Sequence, residues 1–285
     1  MSERLRTAEN DGLPTIEVGS WADGKYTMLA LYDRLFSTAM KEKWDTRVYI
    51  DLYSGPGFVR IKGTDRLLWG SPLIALGVPD PFDRYILCES IPRYLEALRV
   101  RVAKLFSHAD VDFVGGDCNQ HIDEICAAIP TPSSANTVLS FCFLDPFDIS
   151  IKFSTVRKLS GFYMDFLFLL ALHMDANRNL ASYLSPDNSK IDEFLGLSDW
   201  RQRWSEDEPG RRDFPQFLAE EYSKQMEGLG YLPVPFYKMK QIRSNDKNLP
   251  LYRLALFSRR ELAYKFWDEV LHYSTEQITF GFERW

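Results

Sequence analysis

The sequence predicts an α/β protein with a mostly parallel sheet and helices on both faces. Segments with helical periodicity alternate with apolar runs, which is typical of parallel strands covered on both sides. The apolar runs lie at 47–52, 85–89, 111–114, 138–144 and 164–170. Near the end of the chain, 234–240 and 251–257 flank a polar loop. This last pair predicts an antiparallel hairpin that completes the sheet.

The elements between these runs follow in a regular order. The first helix begins after Trp21, and the periodic apolar positions on its face are Met28, Leu31, Tyr32, Leu35 and Ala39. An insertion over 58–83 contains a short helix, which Ser71 can cap with Pro72 at its first position. A helix over 92–106 precedes the third strand, and another through Ile122 and Ile125 precedes the fourth.

The length and net charge of the chain limit the number of domains and the kinds of binding partner that are expected. The 285 residues, 45% of them hydrophobic, suffice for one large domain over 21–285, with a helical insertion near 176–230. The first 20 residues are unpatterned and predict a loosely held arm. A net charge of -6 and a pI near 5.4 argue against a broadly basic nucleic-acid clamp. The sequence has no apolar run of about 18 residues and no signal-peptide pattern, so a cytoplasmic protein is expected.

The turn after the first strand is the most informative stretch for function. Its apolar run ends in Asp51 and then breaks into Ser54, Gly55, Pro56 and Gly57. Because glycine lacks a Cβ, the backbone can turn sharply there and a flat ligand can approach it. In open α/β sheets, ligands bind beyond the carboxyl ends of the strands. We therefore predict that Asp51, Ser54, Gly55 and Gly57 line a ligand site.

Acidic residues also follow the next three strands. Glu89 ends the second strand, where a carboxylate can accept hydrogen bonds from both hydroxyls of a ribose. Asp117 follows the third strand and could accept from an adenine amino group, with Cys118 beside it. Asp145, Pro146 and Phe147 end the fourth strand. Small or acidic residues at four successive strand ends predict a nucleotide-like ligand.

Each of these residues has a structural alternative. Glu89 could cap the helix that begins near Ile91, and Asp117 could cap the helix through Ile122. Asp145 and Pro146 could form a turn that only ends the strand. These alternatives stay open at the level of sequence.

The order of these elements resembles the seven-stranded class I S-adenosylmethionine-dependent methyltransferase fold, a Rossmann-like architecture. The resemblance implies that Gly55-Pro56-Gly57 cradles the amino-acid part of the cofactor. It also implies that methyl donor and acceptor meet at Asp145-Pro146-Phe147. A dehydrogenase is a weaker interpretation, because the Gly-x-Gly-x-x-Gly pattern is absent.

The chain also resembles the three-Cys-motif partner proteins, which are bacterial methyltransferase-like proteins. The matching motifs cover about residues 20–180 and are Tyr49-Ile50-Asp51-Leu52-Tyr53-Ser54-Gly55-Pro56-Gly57, Gly70-Ser71-Pro72-Leu73, Gly116-Asp117-Cys118-Asn119, Leu144-Asp145-Pro146-Phe147 and Asn177-Arg178-Asn179. The resemblance implies a functional partner protein that bears a cysteine cluster.

The sequence departs from the wider methyltransferase pattern at two places. The glycine-rich turn keeps only its last two glycines, and the motif after the fourth strand has a single proline.

These features support one mechanism and one alternative. For an exocyclic amine acceptor, Asp145 and the Pro146 carbonyl could accept N–H hydrogen bonds while Phe147 stacks on a nucleic-acid base. The alternative is a non-catalytic assembly module that keeps the fold, motivated by Trp200 and Trp204, although core packing also explains these tryptophans.

Basic side chains interleaved with aromatic ones predict weak nucleic-acid contacts, the alternative being solvated charges around packed aromatics. These cations are Arg60, Lys62, Lys238 and Lys240. The four cysteines and four histidines lack metal-ligand spacing, so no metal is predicted. The cysteines Cys88, Cys118, Cys126 and Cys142 are interpreted as mostly buried, inert thiols.

Overall fold

The computed structural model describes residues 7–173, 179–207, 212–244 and 248–279. The elements, numbered in chain order, are β1 Thr7–Ala8, β2 Ile16–Val18, α1 Ala22–Met40, β3 Thr46–Asp51, β4 Phe58–Ile61, β5 Leu67–Trp69, α2 Ser71–Leu76, β6 Arg84–Glu89, α3 Pro92–Leu105, β7 Val111–Gly115, α4 Ile122–Ala128, β8 Val138–Leu144, α5 Phe153–Leu159, β9 Met164–Leu170, α6 Leu180–Tyr183, α7 Lys190–Leu195, α8 Trp200–Ser205, α9 Phe214–Gly228, β10 Lys240–Arg243, β11 Pro250–Phe257 and α10 Glu261–Thr279. Asn177 and Arg178 of the family motif lie outside the described residues.

Seven strands form one sheet in the order β10-β11-β9-β8-β3-β6-β7. β3 pairs in parallel with β6, and β6 pairs in parallel with β7. β11 runs antiparallel to both β9 and β10. The predicted fold class, a mostly parallel seven-stranded sheet that includes an antiparallel hairpin near the end of the chain, is confirmed.

The central strands of this sheet are buried along most of their length, whereas the edge strands β7 and β10 are mostly half-buried or exposed. Val48, Tyr49 and Ile50 of β3 have no exposed surface, and all seven residues of β8 are buried. Because successive side chains of a strand point to opposite faces, unbroken burial means that both faces of these strands are covered. This explains the continuous apolar runs that predicted the sheet.

Backbone contacts divide the chain into two compact units. The first comprises Met1–Cys142 and Glu261–Trp285, and the second comprises Phe143–Arg260. In the first unit, Tyr32 of α1 packs edge-on against Trp267 of α10, with ring centroids 6.0 Å apart. In the second unit, Tyr222 of α9 packs against Phe168 of β9, with centroids 5.3 Å apart. The single domain predicted over 21–285 stays a prediction.

The N-terminal arm differs from the expectation of a loosely held segment. β1 and β2 join β4 and β5 in a four-stranded sheet of order β1-β5-β4-β2. Ile16 lies opposite Val59, and Thr7 lies opposite Leu68. The expectation of a loose arm is therefore wrong over the described residues 7–18. The strands are only two and three residues long, too short for an alternating pattern to be visible in the sequence.

The first strand of the hairpin is also misplaced in the sequence interpretation. It was predicted over 234–240, but Phe236–Lys238 forms a 3-10 turn and β10 covers Lys240–Arg243. Proline has no N–H to donate to a ladder, so Pro233 and Pro235 disfavour a strand over 234–240. The second strand, predicted over 251–257, is confirmed within one residue as β11.

The helices α6 to α9 lie within the predicted helical stretch. Trp200 has no exposed surface and packs against Phe214, with ring centroids 5.8 Å apart. Trp204 packs against Phe217 at 5.1 Å. Core packing thus accounts for Trp200, whereas Trp204 is half-buried and packs one part of its surface on Phe214 and Phe217. No helix among the described residues is long and apolar enough to cross a membrane.

Candidate functional site

The turn after β3 is held in place by Asp51 and two glycines. Asp51 is fully buried, and its Oδ1 accepts a hydrogen bond from the Tyr53 N–H at 3.1 Å. The Ser54 hydroxyl donates to the Asp51 carbonyl at 3.1 Å. Gly55 and Gly57 have φ angles of +62° and +89°, which side-chain-bearing residues rarely adopt. The four predicted turn residues therefore shape one bend at the carboxyl end of β3.

Glu89 joins this bend to the end of β6. Its Oε2 accepts from the Gly55 N–H at 2.8 Å, and its Oε1 accepts from the Ile91 N–H at 2.7 Å. Ile91 is the N-cap residue of α3, so the alternative role of Glu89 at the start of a helix is also present. A carboxylate has about four acceptor positions, and Glu89 keeps capacity for further donors.

Asp117 is exposed and closes a local turn after β7. Its Oδ1 accepts from the Asn119 N–H at 2.7 Å, and its carbonyl accepts from the His121 N–H at 2.9 Å. His121, not Asp117, is the N-cap residue of α4, so Asp117 stabilises the turn that leads to the helix. The Gly116 N–H donates to the Glu89 carbonyl at 3.1 Å, which places this turn beside the end of β6.

The thiols near these strand ends are protonated. Burial raises the pKa of Cys118 to about 11, and a hydrogen bond with Tyr53 opposes that rise. Burial also raises the pKa of Cys88, whose thiol donates to the Gly116 carbonyl with a sulfur–oxygen distance of 3.4 Å. Cys88, Cys118 and Cys142 are buried, whereas Cys126 is half-buried. No three His, Cys, Asp or Glu side chains in the described part of the chain are grouped as metal ligands.

Arg101 is a site residue that sequence reasoning missed. Its guanidinium is buried, and Nη1 donates to the Pro56 carbonyl at 2.6 Å and to the Pro14 carbonyl at 2.9 Å. Nη2 lies 2.7 Å from Asp11 Oδ1, in an ion pair with the N-terminal arm. The pKa of Asp11 is lowered, chiefly by the hydrogen bond with Arg101. The signal in the sequence was an arginine on the apolar face of α3, three residues after Leu98.

Asp33 is a second missed residue. It lies on α1 with no exposed surface, and neither carboxyl oxygen has a hydrogen-bond partner among the described residues. Burial, reinforced by the charge of Asp51, raises the pKa of Asp33 well above its ordinary value. The signal was an acid on the apolar face of an amphipathic helix, between Leu29 and Phe36.

The residues after β8 belong to the second unit. Asp145 is half-buried and Pro146 is buried, while Phe147 leaves 67% of its surface exposed. Asp148 is engaged by Lys190, whose Nζ lies 2.8 Å from Oδ2. Among these residues, Phe147 is the one free to stack on a flat molecule.

The four predicted nucleic-acid contacts are divided between the units. Lys62 is exposed, and the partly exposed guanidinium of Arg60 lies 4.0 Å from Asp65 in the first unit. Lys238 is exposed and Lys240 half-buried in the second unit. All four side chains have some exposed surface, as either a phosphate contact or a solvated charge requires.

Comparison with known proteins gives similarity at the level of solved structures alone. No family model matches the sequence, and no curated protein does. The O-methyltransferase from Bacillus cereus in complex with SAH is 10% identical, with a TM-score of 0.44 over 87% of this chain and 84% of that one. TYW2 from M. jannaschii in complex with AdoMet is 9% identical, with a TM-score of 0.43 over 91% and 89%. Trm1 from Pyrococcus horikoshii with S-adenosyl-L-methionine is 9% identical, with a TM-score of 0.42 over 94% and 64%.

Proposed function

We propose that this chain binds S-adenosylmethionine and transfers its methyl group to a nucleic acid. The observation that carries the proposal is the bond from the Gly55 N–H to Glu89 Oε2, at the carboxyl ends of β3 and β6. It joins the glycine bend to the acid that would hold a ribose. The fold supports the proposal, because a mostly parallel seven-stranded sheet with an antiparallel hairpin is what the methyltransferase resemblance implies.

The chemistry of the residues fits the cofactor. Glu89 accepts from the Gly55 and Ile91 N–H groups and, at 3.5 Å, from the Ser90 hydroxyl, so about one acceptor position is left for a ribose hydroxyl. The exposed Asp117 can accept from an adenine amino group. Gly55 and Gly57 give the bend the shape that would hold the amino-acid part, and Asp51 and Ser54 support that bend. The neutral Cys118 adds a buried, uncharged wall beside Tyr53. When bound, S-adenosylmethionine supplies an electrophilic methyl group.

The acceptor side is assigned to the residues after β8. The Asp145 carboxylate and the Pro146 carbonyl accept N–H hydrogen bonds from an exocyclic amine and so orient its lone pair. Phe147 stacks on the base that carries the amine. Positioning of this kind supplies most of the acceleration in a displacement that needs no covalent help from the protein.

Calorimetry with S-adenosylmethionine tests the cofactor site. We expect Glu89→Gln to weaken binding about tenfold or more, because a hydrogen bond to a charged group contributes about 1.5–3 kcal/mol. Glu96→Gln is the matched control, since Glu96 is exposed on the same α3 helix. Equal affinities for the two variants would remove Glu89 from the site, and no binding by the native chain would overturn the cofactor proposal.

Transfer of labelled methyl groups to RNA and DNA tests the acceptor assignment. We expect Asp145→Ala to lower the rate by about a hundredfold, in the range for a lost positioning group. Asp187→Ala, at an exposed position of the same unit, is the control. Unchanged transfer in Asp145→Ala would exclude Asp145 from the mechanism.

We propose that Arg60, Lys62, Lys238 and Lys240 contact phosphates of the nucleic acid. Each lost phosphate contact should reduce the slope of log affinity against log salt by roughly 0.7–0.9. Replacing each of the four by glutamine and measuring oligonucleotide affinity at several salt concentrations tests this. An unchanged slope would leave them as solvated charges.

We also propose a partner protein with a cysteine cluster, in the manner of three-Cys-motif partner proteins. The support is the set of motifs around Gly55-Pro56-Gly57 and Asp145-Pro146-Phe147. Purification of the tagged chain from its own cells, followed by identification of bound proteins, tests it. Recovery of the chain without any cysteine-cluster protein would contradict the proposal. A non-catalytic assembly module that keeps the fold stays the alternative, although Trp200, one of the two tryptophans that motivated it, is buried.

A further inference from the structure

The end of β9 carries a group of nitrogen donors that the proposed mechanism does not use. His173 follows β9 in the second unit, and its Nε2 is shielded from solvent without a hydrogen-bond partner among the described residues. Burial lowers the pKa of His173, and the charges of Arg253 and Arg243 lower it further against the opposing charge of Asp213. The imidazole is therefore mostly neutral at pH 7 and can donate one N–H.

Arg253 brings a positioned guanidinium to the same place. It lies opposite Leu170, the last residue of β9, and its guanidinium stacks on Phe236 at 3.9 Å from the ring centroid. Nη1 donates to the Met239 carbonyl at 3.0 Å, while the buried Nε has no partner within the described ranges. The aromatic ring and the carbonyl hold the guanidinium plane, so its remaining donors are already oriented.

Arg243 adds a second charge on the same face of the hairpin. Gln241 lies opposite Arg253, and the register of the hairpin shifts between Ile242 and Arg243. A hydrogen bond joins Arg243 to Gln241, and the charge of Arg243 acts on Arg253, so Arg243 lies on the side of the hairpin that carries both residues. The Arg243 Nε donates to the Asn248 side chain at 2.7 Å, and its Nη1 donates to Gln241 at 2.6 Å. These bonds fix the exposed guanidinium of Arg243 near the half-buried side chain of Arg253.

The carboxylate of Asp213, which opposes these positive charges, already accepts a hydrogen bond. Asp213 is the carboxylate whose charge acts on both His173 and Arg253. Its Oδ1 caps α9 by accepting from the Gln216 N–H at 2.8 Å. One engaged carboxylate against two guanidinium groups leaves a net positive charge. The exposed Arg243 and the half-buried Arg253 give this place a net positive charge that suits an anion, and a planar guanidinium matches the oxygens of a phosphate.

The position of this group favours a phosphate of the proposed acceptor. β9 is the neighbour of β8 in the sheet, and His173 follows β9 as Phe147 follows β8. We infer that His173, Arg253 and Arg243, here named the β9 corner, bind a phosphodiester of the nucleic acid whose base is presented to Phe147. This inference rests on the proposed function for the identity of the ligand and on the described donors for the site.

Fluorescence anisotropy with a labelled single-stranded oligonucleotide tests the β9 corner. Arg253→Met keeps an apolar chain over Phe236 and removes the charge, and we expect at least tenfold weaker binding and a salt slope reduced by about 0.7. His173→Gln should weaken binding several-fold. Arg157→Met is the control, because Arg157 is an exposed arginine on α5 of the same unit that stacks on Phe153.

Two further measurements separate the outcomes. Arg243→Gln changes an exposed side chain, so it gives the same answer if Arg253→Met does not fold, which thermal melting would reveal. Calorimetry with S-adenosylmethionine should give native affinity for all these variants, since the cofactor residues lie in the first unit. If the native chain binds no S-adenosylmethionine but the corner variants lose oligonucleotide binding, the β9 corner is supported and the proposed methyl transfer is overturned.

Two results would overturn the inference. If the corner variants and Arg157→Met bind the oligonucleotide equally, the corner does not contact it, whatever the methyl-transfer assay shows. If the native chain binds no oligonucleotide at low salt but binds inorganic phosphate, and Arg253→Met loses that binding, the site belongs to a small phosphate ligand and not to a nucleic acid.

Discussion

The carboxyl ends of β3 and β9 differ in how their polar side chains are satisfied. At the end of β3, Asp51 and Glu89 accept hydrogen bonds from backbone N–H groups of the bend that they support. At the end of β9, His173 and Arg253 each keep a shielded nitrogen without a partner in the described part of the chain. The first end is organised by the protein itself, whereas the second keeps shielded polar atoms that no described residue satisfies. A preorganised end suits a cofactor that every turnover uses, and an unfilled end suits a variable substrate.

The strongest way to break the organisation of the β3 end is to remove Arg101. We expect Arg101→Met to lower the free energy of unfolding by about 3 kcal/mol, because it leaves Asp11 and the Pro56 and Pro14 carbonyls without their donor. Urea denaturation measures this. Arg93→Met, at an exposed position of α3, should change stability by less than about 0.5 kcal/mol. A similar small loss in both variants would show that the arm is not held by Arg101.

The second prediction concerns the bend itself. A methyl group at Gly57 would lie 3.0 Å from Leu98 and 3.2 Å from Leu73, on a backbone with φ of +89°. We expect Gly57→Ala to cost about 1–2 kcal/mol of stability and to weaken S-adenosylmethionine binding. Gly24→Ala is the control: Gly24 lies in α1 with no atom near an added Cβ, so it should gain about 0.5–1 kcal/mol. Opposite signs in thermal melting are the expected result, and a neutral Gly57→Ala would contradict the strained bend.

The third prediction concerns how the stability of the chain depends on pH through a carboxyl group of the second unit. Burial raises the pKa of Asp165 on β9 to about 7, from 3.8. Between these values the native chain binds more protons than the unfolded chain, so this group makes stability fall as pH rises, by at most about 1.4 kcal/mol per pH unit. Asp165→Asn should remove that part of the decline between about pH 4 and 7. Asp187→Asn, on an exposed carboxylate, should keep the native curve, and identical curves for both variants would refute the effect.

The smallest expected change in stability is at Phe147. Because 67% of its surface is exposed, Phe147→Ala should alter the free energy of unfolding by less than about 0.5 kcal/mol. Its affinity for a single-stranded oligonucleotide should nevertheless fall about tenfold, since base stacking contributes about 1–3 kcal/mol. Leu184→Ala removes an exposed apolar side chain of the same unit and should leave affinity unchanged. A stability loss with normal affinity in Phe147→Ala would assign Phe147 to packing.

The sequence predicted what depends on local chemistry. Apolar runs located the core strands of the sheet because burial on both faces demands unbroken apolar side chains. Gly55, Gly57 and Glu89 were found because a strand end, a bend and an acid are all local signals. The short strands β1 and β2 were missed, since two or three residues show no period. Val234 to Lys240 was misassigned because its apolar side chains outweighed the two prolines in the interpretation.

By itself, the sequence determined the strands, the turns between them and the residues that stand at strand ends, since each follows from side-chain period and backbone freedom. Only the tertiary structure decided which of these residues meet. The contacts of Arg101 with Pro56 and Asp11 join positions 45 and 90 residues apart, and no local pattern encodes such a pairing. The same holds for Asp33 beside Asp51 and for His173 beside Arg253, where charge and burial act across elements that the fold alone brings together.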